Sequence, residues 1–308
     1  MTEPVLRIGT RGSALALAQS GAVGAQLVEF AGGTVDLVRV KTEGDINTGP
    51  LAAIGGTGIF VTAVRTALLD RRVDVIVHSF KDLPTAPAPG LALAAVPERE
   101  NPFDALCARD GLTLASLPAG AKVGTGSPRR IAQLLLHRPD LIMRPVRGNV
   151  DTRLRMVSSG DLDAVVLAVA GLTRLGRTAA ITETFGPEVM LPAPAQGALA
   201  VECRNADVET AWFASALGSL DLLDTRAAAA AERSLLATLE AGCIAPVGAY
   251  STVSVGTLRL RGAVIAVDGS EIIAGEVSGP VADAAGLGKE LAAELLSRGA
   301  MVLLGAAR

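Results

Sequence analysis

The chain has 308 residues, a net charge of −3 and a hydrophobic share of 50%, which indicates about two domains and argues against a general binder of polyanions. Its three scattered cysteines and two histidines argue against a disulfide framework, a metal centre or a Ser-His-Asp hydrolase. No stretch reaches about 18 unbroken apolar residues, the length of a membrane span, and no secretory signal is recognised at the N-terminus, so we expect a cytoplasmic protein.

The first predicted elements are a strand, a glycine-rich turn and a helix. Leu6-Arg7-Ile8 forms the strand, and Gly9-Thr10-Arg11-Gly12-Ser13 forms the turn. Ser13 is well placed as the N-cap of a helix over residues 14–30. Because backbone N–H groups are exposed at a helix start, this turn is a candidate anion site with Arg11 beside it.

A second strand is predicted over residues 35–41 and a second helix over residues 59–70. The segment between them, residues 42–57, is rich in glycine and has no periodicity. Such a segment is a candidate mobile lid.

The stretch from Val73 to Thr85 contains the first candidate catalytic residues. Its β-branched run predicts a buried parallel strand, and Pro84 predicts that Asp82 and Leu83 lie outside helix geometry. Lys81 and Asp82 would then follow the carboxyl end of a central strand, where ligands bind in open α/β sheets. The alternative is a solvated turn that happens to carry two charges.

A second glycine-rich turn has the same construction as the first. Residues 122–123 predict a strand, which leads into Gly124-Thr125-Gly126-Ser127-Pro128-Arg129-Arg130 and then a helix. Ser127 suits the N-cap and Pro128 suits the first helical position. Two matched copies predict two similar α/β domains that face each other across a cleft, each with an anion-binding helix start.

Basic residues are concentrated between Lys122 and Arg155, where eight of them stand against two acidic residues. Arginine also outnumbers lysine by 24 to 4 in the whole chain. A compositional bias toward arginine explains the ratio but not the clustering. Bidentate binding of carboxylates by guanidinium groups would explain the clustering.

The remaining elements define the expected domain organisation. Further strands are predicted over residues 91–96, 141–144, 163–168 and 198–203, and Pro-rich crossovers over residues 97–102 and 192–197. An Ala-rich helix (224–239), antiparallel hairpins (247–277) and a closing helix (282–297) follow. The expected domains are residues 1–97 with 198–217, residues 103–191 with the arginine-rich face, and residues 220–308.

Taken in order, the motifs resemble those of the porphobilinogen deaminase family, also called hydroxymethylbilane synthase. The resemblance covers nearly the whole chain. It includes the two glycine-rich turns, Val40-Lys41-Thr42-Glu43-Gly44-Asp45, His78-Ser79-Phe80-Lys81-Asp82-Leu83-Pro84, Arg99-Glu100-Asn101-Pro102-Phe103-Asp104-Ala105, Arg147-Gly148-Asn149-Val150-Asp151-Thr152-Arg153, Ala168-Val169-Ala170-Gly171-Leu172 and Gly242-Cys243-Ile244-Ala245-Pro246-Val247-Gly248. It implies two α/β domains of the periplasmic-binding-protein type around a cleft and a small C-terminal α+β domain with an antiparallel sheet.

The resemblance implies a transferase of tetrapyrrole (heme) biosynthesis. Members of this family condense four porphobilinogen molecules head to tail into hydroxymethylbilane and release ammonia at each step. The chain grows on a dipyrromethane cofactor held by a cysteine thioether, and the matching residue here is Cys243. Cys107 and Cys203 lie in apolar strand-like runs and are interpreted as buried structural thiols.

The chemistry implied by the resemblance gives Asp82 a role. Loss of ammonia leaves a cationic azafulvene-like species, which a carboxylate beside the pyrrole N–H groups can stabilise while it handles protons. Asp82 matches that carboxylate. Lys81 is expected to position negative charge beside it, and both residues are also expected to contact the cofactor.

Arginine clustering fits a substrate whose every pyrrole carries an acetate and a propionate. The motifs assign Arg129, Arg130 and Ser127 to the cofactor, and they assign Arg11, Ser13, Arg147, Arg153, Arg174 and Gln196 to substrate carboxylates. Arg138, Arg144 and Arg155 match no motif and are interpreted as solvated surface. Phe60 is either an apolar wall over a pyrrole or a core residue.

The chain departs from the family at Thr57, where a lysine is usual, so a cationic lid is weakly supported. Two other functions remain open on the residues alone. A non-catalytic two-lobed anion-binding or sensor protein could use the same fold, although it would leave Asp82 and Cys243 unexplained. A nucleic-acid binder is disfavoured because aromatic residues amount to 3% of the chain. We expect a monomer whose partner is porphobilinogen, without nucleic acid, membrane or metal.

Overall fold

A computed structural model describes residues 3–41, 59–241 and 245–305, without the side chains of Ile59 and Phe60. The candidate lid (residues 42–57), Thr57, the Phe60 side chain and Cys243 therefore lie outside the described residues. The chain divides into two compact units, Met1–Arg99 with Ala198–Arg226 and Glu100–Gly197 with Ala227–Arg308. None of the described helices is long and apolar enough to cross a membrane.

Strands and helices alternate through most of the chain. The strands are β1 (Val5–Thr10), β2 (Thr34–Arg39), β3 (Val75–Ser79), β4 (Leu91–Ala95), β5 (Asp104–Ala108), β6 (Lys122–Gly124), β7 (Ile142–Arg144), β8 (Ala164–Ala168), β9 (Glu183–Thr184), β10 (Leu199–Arg204), β11 (Val247–Ser254), β12 (Thr257–Ile265) and β13 (Ile272–Pro280). The helices are α1 (Ala14–Ala31), α2 (Ile59–Leu69), α3 (Pro128–His137), α4 (Val150–Ser158), α5 (Val169–Arg174), α6 (Ala214–Leu220), α7 (Leu223–Thr238), α8 (Ala284–Ser297) and α9 (Ala300–Gly305).

The first unit is built on a five-stranded sheet in the order β2-β1-β3-β10-β4. The central strand β3 pairs parallel with β1 and antiparallel with β10, where Ser79 lies opposite Leu199. This confirms the predicted central strand before Lys81 and Asp82. The pairing of β10 also shows that the chain returns to the first sheet after residue 197.

Both faces of this sheet are covered, which explains why its strands are apolar almost throughout. On one face, Leu6 and Ile8 of β1 pack with Val23 and Leu27 of α1, together with residues of α6. On the other face, α2 contributes Val64 and Leu68, which pack against Val73 and Ile76. The sheet is therefore held between helices, as expected for an α/β unit.

The second unit contains a five-stranded sheet in the order β7-β6-β8-β5-β9. Strand β6 pairs parallel with β7 and β8, whereas β5 pairs antiparallel with β8 and β9. Alternate residues of β5 point into two cores: Leu106 packs with Leu134 of α3, and Cys107 packs with Leu172 of α5. The two predicted α/β sheets are thus confirmed.

A three-stranded antiparallel sheet, β11-β12-β13, lies near the C-terminus and confirms the predicted hairpins. Leu258 and Leu260 pack against Leu235 of α7 and Leu291 and Leu295 of α8. The Ala249 N–H donates to the Pro192 carbonyl at 2.9 Å, so the sheet is bonded to the rest of its unit. The division into three domains with the predicted boundaries stays a prediction.

Candidate active site

Lys81 and Asp82 lie on a single 3₁₀ turn, Phe80–Asp82, directly after the central strand β3. The Phe80 N–H donates to the Ala198 carbonyl at 3.0 Å, and the Leu83 N–H closes the turn on the Phe80 carbonyl at 3.2 Å. Leu83 is extended, as expected before Pro84. The expectation that Asp82 also lies outside helix geometry is wrong, because the restriction before a proline applies to the preceding residue alone.

The turn presents its charged side chains and buries its apolar ones. Phe80 and Leu83 are each 4% exposed, so the backbone on both sides of the pair is fixed by packing. Asp82 is exposed and Lys81 is half-buried. Within the described residues the Asp82 carboxylate has no hydrogen-bond or ion-pair partner, and it can therefore meet a ligand without breaking a protein contact.

Arg11 and Ser13 follow β1, the parallel neighbour of β3. Since parallel neighbours end at the same sheet edge, these residues lie at the edge that also carries Lys81 and Asp82. Ser13 is the N-cap of α1, as predicted, and its hydroxyl accepts the Ala16 N–H at 3.3 Å. Its backbone and hydroxyl thus form a helix start of the kind that binds anions.

A buried ion cluster that the sequence did not reveal lies behind the turn. The Glu202 carboxylate on β10 accepts Nε and Nη2 of Arg65 at 2.9 and 2.6 Å, and its Oε2 lies 3.2 Å from Nε2 of His78. Burial alone would raise the pKa of Glu202, but the bonds from His78 and Arg65 hold it at about 2. The cluster joins β3 to β10 and α2.

In the second unit, Ser127, Arg129 and Arg130 begin α3, as predicted. Pro128 is the first helical residue and Ser127 occupies the N-cap position. The Ser127 side chain makes no capping hydrogen bond, while its N–H donates to Thr125 Oγ1 at 3.2 Å. Its hydroxyl is therefore not committed to the helix, unlike that of Ser13.

Arg129 and Arg130 are almost fully buried and share one carboxylate, that of Asp104 on β5. Arg129 Nη2 donates to Asp104 Oδ2 at 2.7 Å. Arg130 donates to Oδ1 from Nε at 2.9 Å and from Nη2 at 2.6 Å. Asp104 is 0% exposed, and although it belongs to a quoted motif the sequence alone assigned it no role.

Further bonds complete this cluster. Arg129 Nη1 donates to the Leu191 carbonyl at 2.6 Å, and Arg130 Nη1 donates to the Val166 carbonyl at 2.8 Å. Gln196 Nε2 donates to Asp104 Oδ1 at 3.0 Å. Burial lowers the pKa of Arg129, and the attraction of Asp104 opposes that shift. The buried Nε of Arg129 has no partner among the described residues.

Arg153, Arg174 and Arg147 were predicted to bind substrate carboxylates. Arg153 on α4 is half-buried, and its Nε donates to the Gly148 carbonyl at 3.0 Å. Burial lowers its pKa and the nearby Arg130 lowers it further. Arg174 donates to the Gly197 carbonyl at 2.7 Å, and burial also lowers its pKa. Arg147 is exposed beside Gly148.

Arg138 differs from its sequence-based interpretation, whereas Cys107 and Cys203 agree with theirs. Arg138 is not a solvated residue, because its guanidinium donates to the Leu117 carbonyl at 2.9 Å and pairs with Asp140. Cys107 and Cys203 are buried thiols, as interpreted from the sequence. Burial raises the pKa of each to about 11, which leaves little thiolate at neutral pH.

Comparison with known proteins identifies the family. Residues 6–211 match the model described as "Porphobilinogen deaminase, dipyromethane cofactor binding domain", and residues 227–297 match "Porphobilinogen deaminase, C-terminal domain". This chain belongs to the porphobilinogen deaminase family. Membership of this family confirms three predictions made from the sequence. They are the family itself, a transferase activity in tetrapyrrole biosynthesis and a dipyrromethane cofactor.

Curated relatives are similar over nearly their whole length. A porphobilinogen deaminase of Nocardia farcinica is 55% identical, and the match covers 97% of this chain and 88% of the relative. Porphobilinogen deaminase 1 of Streptomyces coelicolor is 52% identical over 99% of both chains. Among solved structures, a periplasmic substrate-binding protein from Coxiella burnetii covers 70% of this chain at 15% identity, with a TM-score of 0.44 that supports no further argument.

The described residues of this chain fit a dipyrromethane, whose two rings each carry an acetate and a propionate. Arg129 keeps a buried N–H without a partner, and Arg153 forms no ion pair within the described part of the chain. Such guanidinium groups are matched to carboxylates rather than to neutral ligands. The individual roles of the site residues stay predictions.

Proposed function

We propose that this protein joins four porphobilinogen molecules head to tail into hydroxymethylbilane and releases ammonia at each step. The observation that carries the proposal is the arginine cluster of the second unit. Arg129, Arg130 and Arg153 are buried or half-buried cations, and the neighbouring carboxylate of Asp104 offsets only part of their charge. A ligand rich in carboxylates supplies the missing negative charge.

Arg153 supports this assignment most directly. Burial and the neighbouring Arg130 both lower its pKa, so its charged form is disfavoured in the free protein. A bound carboxylate would reverse that penalty by direct pairing. Arg174 and the exposed Arg147 would bind further acetate and propionate groups, and Arg11 and Ser13 would do so at the helix start of the first unit.

Asp82 would stabilise the positive charge that develops on a pyrrole as ammonia leaves. Its carboxylate is exposed, has no partner in the described part of the chain and follows the central strand. A preorganised carboxylate lowers the energy of a cationic transition state and can accept a hydrogen bond from a pyrrole N–H. Lys81 would hold a neighbouring carboxylate of the substrate in place.

The dipyrromethane, when bound, supplies the pyrrole α-carbon on which the chain of rings grows. Cys243 would hold it through a thioether, and Ser127, Arg129, Arg130, Lys81 and Asp82 would contact it. Phe60 would form an apolar wall. We infer a monomeric, cytoplasmic enzyme whose partner is a small molecule rather than nucleic acid or membrane, in keeping with a net charge of −3.

The intact mass of the purified protein tests the proposal. Protein made in cells that produce porphobilinogen should exceed its sequence mass by two linked pyrrole units, and Cys243→Ser should remove this increment. A wild-type protein that shows only its sequence mass would contradict the proposed attachment and activity.

Cys107→Ser and Cys203→Ser are the matched controls. Both thiols are buried and have a pKa of about 11, so neither is suited to form a thioether. Each variant should keep the full mass increment. Loss of the increment in either one, in a protein that remains folded, would assign the cofactor to a different cysteine.

A further inference from the structure

The buried carboxylate of Asp104 is bonded to a larger set of donors than its sequence motif suggests. It accepts hydrogen bonds from Arg129, Arg130 and Gln196, at donor–acceptor distances from 2.6 to 3.0 Å. Asp104 is the first residue of β5 and is paired with Ala168 at the end of β8. Its own position is therefore fixed by the sheet.

Each of the two guanidinium groups is held both by Asp104 and by a backbone carbonyl. Arg130 is bonded through Nε and Nη2 to Asp104 and through Nη1 to the Val166 carbonyl. Arg129 is bonded through Nη2 to Asp104 and through Nη1 to the Leu191 carbonyl. These contacts define the plane and direction of each group, and each arginine has N–H groups beyond those that the contacts use.

We propose that Asp104 is a positioning residue that orients Arg129 and Arg130 for uptake of the dipyrromethane carboxylates, and that Gln196 acts through Asp104. The inference rests on the proposed role of the two arginines. It assigns to Gln196 a supporting role, since its Nε2 group donates to Asp104 and also to the Pro102 carbonyl at 2.7 Å.

Electrostatics explains why a carboxylate is needed at this position. Two arginines adjacent in the chain and buried together repel each other, and desolvation adds to the cost. Asp104 offsets one of the two charges and leaves an excess of one. The pair thus stays fixed in the free protein and still attracts an anion. A neutral residue at position 104 would remove the carboxylate shared by both cations and leave one backbone carbonyl among the described residues to hold each guanidinium group.

A purely structural role is the competing explanation, and Asp74 provides a matched control. Asp74 is also a buried aspartate bound by two arginines: Arg7 Nη2 lies 2.7 Å from Oδ1, and Arg204 Nη2 lies 3.6 Å from the same oxygen. It precedes β3, at the end of that strand opposite to Lys81 and Asp82. Asp74→Asn should therefore destabilise the fold without touching the site.

The experiment compares cofactor uptake by wild type, Asp104→Asn and Asp74→Asn. Each chain is produced in cells that cannot make porphobilinogen, checked for folding by circular dichroism and then given porphobilinogen. Intact mass follows the appearance of the two-ring increment with time. We expect the two-ring increment to appear at least about tenfold more slowly in Asp104→Asn than in Asp74→Asn, because misplaced binding groups lose efficiency on this scale. Both variants should melt at lower temperatures than wild type.

Failure of the proposed function and failure of the positioning role of Asp104 would give different results in this experiment. Failure of wild type to load would contradict the proposed function itself. Equal loading rates in the two folded aspartate variants, with wild type loading normally, would overturn the positioning role of Asp104. A slow Asp104→Asn beside a fast Asp74→Asn supports it, because a general loss of stability would slow both.

A second pair of variants, one test variant and one control, keeps the proposal testable if Asp104→Asn does not fold. Gln196→Leu removes the amide bonded to Asp104, whereas Ser234→Ala removes a hydroxyl of α7 that donates to the Ala285 carbonyl of α8 at 2.7 Å, outside the Asp104 cluster. Gln196→Leu should take up the cofactor about tenfold more slowly than Ser234→Ala, as expected for the loss of a hydrogen bond to a charged acceptor. Equal rates in this pair would overturn the role of Gln196 and of its link through Asp104.

Discussion

At the scale of single residues, the candidate site has a backbone that is fixed by packing and charged side chains that are exposed or only partly paired. The turn that carries Asp82 is fixed because its neighbours Phe80 and Leu83 are buried and the Phe80 N–H is bonded to Ala198. None of these contacts uses the Asp82 side chain. Its carboxylate can therefore be changed without moving the backbone that presents it.

We expect Asp82→Asn to fold as wild type does and to lose turnover by a factor of about 10² or more, the usual scale for removing a charge-stabilising group. Since the carboxylate acts on a charge that develops during the reaction, kcat should fall more than KM rises. Steady-state kinetics and thermal melting measure the two effects. Asp70→Asn, an exposed aspartate of the same unit, is the control and should leave both unchanged.

If Asp82→Asn turns over close to the wild-type rate, the catalytic carboxylate is elsewhere. Asp82→Glu refines the test, because it keeps the charge and lengthens the reach by one methylene. We expect it to retain partial activity.

At the scale of elements, the Glu202 cluster joins three pieces of the first unit. Glu202 is on β10, His78 is on β3 and Arg65 is on α2. The cluster thus connects the central strand, which precedes the turn of Lys81 and Asp82, to a helix on one face of the sheet. Breaking one partner of such a buried cluster leaves charges uncompensated, which is costly.

The stability supplied by Glu202 should depend on pH. Its pKa is about 2 in the folded protein against an ordinary value of 4.5, so the unfolded chain binds its proton more readily. The contribution is therefore complete above about pH 5 and is lost as the pH falls from 4.5 toward 2. Urea unfolding of wild type and Glu202→Gln measures it: the difference in unfolding free energy should shrink as the pH falls below 4.5. A difference that grows on acidification would contradict this linkage.

At the scale of the whole molecule, the chain divides into two compact units, and the antiparallel sheet belongs to the second. The predicted division into three domains stays a prediction. The antiparallel sheet has a hydrophobic core of its own with α7 and α8, as a separate domain over residues 220–308 would need. It is also bonded to the rest of the second unit, through Ala249 to Pro192 and through Glu232, whose carboxylate accepts the Ala195 and Ser251 N–H groups.

Leu291→Ala tests whether the second unit unfolds as one body. Leu291 is fully buried between α8 and the antiparallel sheet, and its truncation should cost about 2–5 kcal/mol. We expect hydrogen exchange to show lost protection in both β11–β13 and β5–β9, with the sheet of the first unit unchanged. Protection lost in β11–β13 alone would instead support the predicted independent domain over residues 220–308.

Much of the fold and part of the site could be predicted from sequence, because those features depend on near neighbours. β-Branched runs predicted β3 and β8, and Ser13 and Pro128 predicted the starts of α1 and α3. The predicted ends of these elements therefore indicated where charged residues would lie. These residues are Lys81 and Asp82 after one strand, and Arg129 and Arg130 at the start of α3. The order of such local motifs along the chain was also enough to indicate the family.

Tertiary structure alone decided which charges are compensated. Asp104 and Glu202 lie within apolar strands, and nothing beside them in the chain indicates a partner. Glu202 binds Arg65, which is 137 residues away, and Asp104 binds Gln196, which is 92 residues away. Such contacts exist because sheet order brings distant strands and helices together, and burial then makes each pairing energetically decisive. Whether a given arginine serves the fold or a ligand follows from that pairing.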